Sequence, residues 1–86
     1  MFIFLHIVMT IAYMNKEKTN LKILGECIRE LRKSKNLTQF ELAEKIGLST
    51  NFIGMVERGE RNTTVDKIFK LADAFNITME EFFKKL

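Results

Sequence analysis

The chain holds a single cysteine, Cys27, and a single histidine, His6, and that scarcity removes several chemistries. One thiol excludes an intramolecular disulfide and fits a reducing cytoplasm. Cys27 reads as a partly buried structural thiol; a redox switch through a pair of such residues would need a low-pKa setting, and none is visible around it. The histidine sits in an apolar leader, so neither a Cys/His dyad nor a Ser/His/Asp triad can be assembled around the rest of the chain. One cysteine and one histidine are also too few ligands for zinc. Only four glycines occur, at 25, 47, 54 and 59, without the spacing of a phosphate loop, and each has a structural explanation. The carboxylates are spread along helix faces. The sequence therefore predicts no catalytic residue, no metal and no cofactor, and no small-molecule ligand is evident.

Long apolar runs are equally scarce. The one present, MFIFLHIVMTIAYM at residues 1–14, is shorter than the roughly 20 residues that span a bilayer. It has no basic start and no small-residue cleavage site, so it makes a poor signal peptide. Three readings remain: Met14 is the true start, since MNKEKTNLK is an ordinary polar approach to a domain; the leader is an extra strand or helix packed on a partner chain; or it is a membrane tether. The first is preferred, with membrane association the least favoured. Residues 1–20 are accordingly set apart as leader and polar approach, and residues 21–86 as one domain, which is all that 86 residues allow. Charge of one sign is in small excess, 14 Lys and Arg against 11 Asp and Glu for a net +3. That is compatible with nucleic acid without being diagnostic.

What the chain does have is helix punctuation. Leu24, Ile28, Leu31 and Leu37 suit a first helix of about three turns and its exit, interleaved with Arg29, Glu30, Arg32, Lys33 and Lys35. Asn36 suits a left-handed cap at its end. Thr38 with Glu41 three residues on reads as a capping box for a second helix carrying Leu42, Ala43 and Ile46 inward, and Gly47 ends it. Leu48 plugs the corner. Ser49 caps a third helix, with Ile53 and Val56 inward and Gly59 marking its end. Thr50, Asn51, Gly54 and Met55 are left facing outward. Val65, Ile68, Phe69, Leu71, Ala72 and Phe75 form a fourth amphipathic helix, capped by Thr63 or Thr64 and stopped near Asn76. Thr78 caps a short last helix, with Glu80 and Glu81 in its first turn and Lys84 and Lys85 in its last, matching the helix dipole at both ends. The prediction is an all-α, five-helix domain with no strand.

Residues 38–60, TQFELAEKIGLSTNFIGMVERGE, have the form of a helix-turn-helix: two short helices, a tight turn, and small polar groups on the second helix suited to base edges. Together with Leu31-Arg32, Leu37-Thr38-Gln39, Leu42-Ala43, Ile46-Gly47, Ile53, Glu57-Arg58-Gly59 and Phe75-Asn76-Ile77, the run resembles the Xre family, the helix-turn-helix domains of Cro and the C1 repressors. The resemblance covers residues 21–83 and implies a compact lambda-repressor-like domain that binds duplex DNA, usually as a dimer, and regulates transcription in the cytoplasm.

The resemblance also assigns roles. Thr50, Asn51 and Met55 fall where relatives reach base edges; Asn51 suits a bidentate contact to adenine and Thr50 a thymine methyl or a phosphate. Met55 has a competing reading as a gap-filler against Phe52, and Phe40 and Phe52 read as packing or semi-exposed aromatics rather than base-stacking groups. Gln39, at the start of the second helix, matches a glutamine that touches phosphate and braces the recognition helix. Ser49, Arg58, Arg61 and Asn62 match positions that grip the DNA backbone, which sets register without reading sequence. Arg32 and Glu57 match a largely buried salt bridge between the first and third helices.

Phe69, Phe75, Ile77, Phe82, Phe83 and Leu86 are more apolar surface than a small domain readily hides, and the first five are taken as a dimer interface. A symmetric dimer would set two recognition helices about 34 Å apart and favour a near-palindromic operator. The Glu57-Arg58-Gly59-Glu60-Arg61-Asn62 segment, followed by Thr64 and a basic amphipathic helix, is similar to the controller proteins of restriction-modification systems. A mobile-element repressor is a close second, and a protein-binding module such as an antitoxin or adaptor is the alternative from another class.

Overall fold

A computed structural model describes residues 17–86, and the side chains from residue 19 onward. The expectations placed on residues 1–14, including Met14 as the start, lie outside the described residues. Five helices follow in order: α1 Glu17–Ser34, α2 Gln39–Ile46, α3 Thr50–Glu57, α4 Val65–Phe75 and α5 Met79–Lys84. The described residues contain no strand. None of their helices is long and apolar enough to cross a membrane.

Local chemistry sets almost every boundary. The Thr38 hydroxyl accepts from the Glu41 amide at 3.0 Å while the Glu41 carboxylate accepts from the Thr38 amide at 2.8 Å, closing the box that starts α2. Thr78 and Glu81 repeat it at the start of α5. The backbone N–H of each threonine, followed by its hydroxyl, holds the carboxyl of Glu41 and of Glu81 below the usual range. Ser49 caps α3 and Thr64, rather than Thr63, caps α4. Asn36, Gly47, Gly59 and Asn76 take left-handed backbone, with φ of 57°, 70°, 74° and 59°; asparagine and glycine are the residues that tolerate it.

Two elements differ from the sequence reading. The first helix has 18 residues instead of about three turns, because Leu21 and Leu24 carry the apolar stripe back from Ile28 at helical spacing. Val65, part of the apolar set of α4, is exposed in the first turn of that helix.

The core is formed by Ile28 and Leu31 of α1, Leu42, Ala43 and Ile46 of α2, Phe52, Ile53 and Val56 of α3, Leu71, Ala72 and Phe75 of α4, and Phe82 of α5. Leu48 packs against its edge as the corner plug. Helix α3 lies against both α1 and α2, α2 also meets α4, and α5 closes against α4. Gly25 makes the α1–α3 contact possible: a Cβ there would collide with the Val56 carbonyl oxygen and lie 2.6 Å from that of Glu57. The effect is to hold α3 by one face and leave the other free.

Candidate nucleic-acid interface

The bound face of α3 is anchored by a carboxylate. Glu57, with its side chain 3% exposed, accepts from Arg32 Nε at 2.6 Å and Nη2 at 3.2 Å. It also accepts from Gln39 Nε2 at 3.0 Å. The remaining Arg32 donor, Nη1, goes to the Leu37 carbonyl at 2.8 Å. One guanidinium thus ties the end of α1, the approach to α2 and the end of α3 together, and the fork geometry of arginine suits it to this work. The bracing role expected of Gln39 is visible; its amide reaches α3 from the first residue of α2.

On the free face, Thr50 and Asn51 are exposed in the first turn of α3, directly after the cap made by the Ser49 hydroxyl to the Phe52 amide. Met55, one turn on, is half-buried. Gly54 is buried, not outward-facing as its spacing suggests. The Arg58 guanidinium and the Gln39 amide lie over it, with Arg58 Nη1 3.0 Å and Gln39 Oε1 3.7 Å from where a Cβ would stand. A residue without a side chain exposes little once longer neighbours fold across it.

Arg58, Arg61 and Asn62 are exposed in the segment joining α3 to α4. Arg58 is paired with Glu60 through two hydrogen bonds of 3.0 and 3.2 Å, and this partner pushes the guanidinium pKa up and the Glu60 pKa down. Arg61 instead stacks over the Phe52 ring at 5.5 Å. The Asn62 side chain accepts from the Thr63 amide. The Thr63 hydroxyl oxygen is itself buried without a partner among the described residues. The pairing of Arg58 with Glu60 was missed in the sequence, although opposite charges two residues apart around a left-handed glycine are a usable signal.

The proposed dimer set divides in two. Phe75 and Phe82 have no exposed surface within the chain. They are core residues and cannot contact a partner, because α5 packs on α4 with Phe82 turned inward and covers Phe75. Phe69 is 52% exposed, and Ile77 and Phe83 are half-buried. These three remain available to a partner, and among the described residues Val65, Phe40 and Ile23 are further exposed apolar groups, at 67%, 59% and 37%.

Cys27 is buried on α1. Burial pushes its thiol up to about 11, against a smaller opposing effect of Lys85, so it is protonated and a poor nucleophile. Native protein at pH 8 is expected to react with a thiol reagent no faster than it unfolds; rapid labelling on mixing, followed by absorbance, would show the thiol to be open.

Comparison with known proteins agrees with this geometry. The family model described as helix-turn-helix, HTH_3, matches residues 28–82. The control protein C.SmaI of Serratia marcescens is 45% identical over 58 residues, covering 67% of this chain and 69% of that protein. The crystal structure of the restriction-modification controller protein C.AhdI from Aeromonas hydrophila superposes with a TM-score of 0.71 at 42% identity, covering 74% of this chain and 97% of that one. The tetramer of the controller C.Esp1396I in complex with its natural 35 base-pair operator superposes with a TM-score of 0.70 at 28% identity, over 74% of this chain and 84% of that one.

Proposed function

We propose, from the premise that this chain belongs to the HTH_3 helix-turn-helix family, that it serves as the controller of a restriction-modification system. It is a DNA-binding transcriptional regulator, as its relatives are, and those relatives are regulators and not enzymes. The controller role is supported by the similarity to C.SmaI and C.AhdI, and the observation that carries the DNA reading is the two-faced character of α3. One face is buried and pinned through Glu57, while the other offers Thr50 and Asn51 to solvent beside the cations that follow the helix.

A helix held this way can enter the major groove as a rigid unit. Asn51 is assigned the base contact, its amide giving a donor and an acceptor to adenine, with Thr50 and Met55 beside it. Ser49, Gln39, Arg61 and Asn62 are assigned to the DNA backbone, and Arg58 joins them when phosphate competes with Glu60. Two copies meeting through Phe69, Ile77 and Phe83 would read a near-palindromic operator with half-sites about 34 Å apart.

The test has two stages. Selection from random duplex DNA is expected to return a near-palindromic site. Asn51→Ala is then expected to lose about 1–3 kcal/mol of that specificity per half-site, with circular dichroism and sedimentation unchanged. Equal binding by mutant and parent would remove Asn51 from the interface.

A further inference from the structure

The Phe52 ring holds two cations. Besides Arg61, the ammonium of Lys67 lies 4.7 Å from the ring centroid, although Lys67 belongs to α4 and Phe52 to the recognition helix. Phe52 itself is 8% exposed and part of the core, so its position is fixed by α3. Neither Arg61 nor Lys67 forms an ion pair among the described residues, whose pairs are Arg32–Glu57, Arg58–Glu60 and Lys84–Glu80. Asp66 is adjacent in sequence and still does not reach Lys67.

Like charges gathered around one aromatic ring repel each other, and attraction to the ring quadrupole offsets only part of that repulsion. An anion brought beside this ring would be attracted by both. Arg61 is already assigned to the DNA backbone, and the shared ring keeps Lys67 close to it, the two cations standing 5.5 and 4.7 Å from one centroid. We infer that Lys67 is a second backbone-gripping residue of the DNA interface, held in place with Arg61 by the ring of Phe52. This rests on the DNA-binding reading above and extends it to a residue outside the helix-turn-helix. Phe52 acts as a positioning residue: it makes no DNA contact of its own and fixes where the two charges stand.

Salt dependence separates this from a packing role. Each phosphate contact contributes about 0.9 to the slope of log K against log salt. Lys67→Met keeps an apolar stem over the ring and removes the charge. In a dimer on its operator it is expected to reduce the slope by about 1.8, so that the parent loses about tenfold more affinity than the variant between 50 and 200 mM salt. Lys67→Arg is expected to keep the parental slope, and Lys67→Met to weaken operator and unrelated duplexes alike. Phe52→Leu, with both cations present, is expected to give a slope between those of the parent and Lys67→Met. A parental slope in Lys67→Met, with the parent still binding its operator, overturns the inference and leaves the DNA-binding reading intact. Absence of any duplex binding by the parent would instead overturn that reading and this inference with it. If Lys67→Met lowers the melting temperature and not the slope, Lys67 is packing only.

Discussion

Arg32→Ala is expected to destabilise the domain by about 3–5 kcal/mol, the cost of leaving one partner of a buried pair alone. The side chains of Arg32 and Glu57 are 11% and 3% exposed, so water cannot replace what is lost. Removal of the guanidinium takes two donors from Glu57 and one from the Leu37 carbonyl, leaving the carboxylate with the Gln39 amide alone. Small domains hold about 5–15 kcal/mol in total, so this is a large share, and at about 4–8 °C per kcal/mol the melting temperature should fall by at least ~12 °C. Urea titration of the double variant Arg32→Met with Glu57→Leu supplies the control. Replacing a buried ion pair by apolar groups of similar volume is often neutral or stabilising, so the double variant should recover most of the loss. A single-variant loss below about 1 kcal/mol, the range of an exposed pair, would mean the pair is not buried in solution.

How much of this was readable from sequence depended on distance along the chain. Caps join residues three apart, so Thr38 with Glu41, Ser49, and Thr78 with Glu81 could be located from residue type and spacing, and so could the turns at Asn36, Gly47 and Asn76. The Arg32–Glu57 bond spans 25 residues and no periodicity points to it; it came from the family resemblance. Helical spacing placed Phe69, Phe75, Phe82 and Phe83 on apolar stripes but could not say which edge of a stripe α5 would cover. The stripes alone therefore assign Phe75 and Phe82 to a dimer surface, whereas the packing of α5 on α4 puts both in the core. Gly54 and Lys67 were misjudged or missed for the same reason: their surroundings come from other elements, Arg58 and Gln39 over the one and Phe52 under the other.

Gly25→Ala is expected to lose about 3 kcal/mol, at the upper end of what an extra methyl in a packed interior usually costs, and here helix propensity argues the other way. Alanine in a helix interior is favoured over glycine by about 1 kcal/mol, and position 25 lies well inside α1, so propensity alone predicts a gain. The neighbours decide the sign. The added Cβ would meet the carbonyl oxygens of Val56 and Glu57 and the Glu57 carbonyl carbon at 2.9 Å. These are backbone atoms at the end of α3, which cannot turn aside as a side chain would; relief requires α1 and α3 to separate. Separation pulls Arg32 from Glu57, and the same movement shifts the helix that carries Asn51. Stability and operator binding should therefore fall together, unlike in Asn51→Ala, where binding falls alone. A denaturation midpoint equal to or above that of the parent would show that α1 and α3 do not meet backbone to backbone at Gly25, and the clamp through Glu57 would then need a different geometry.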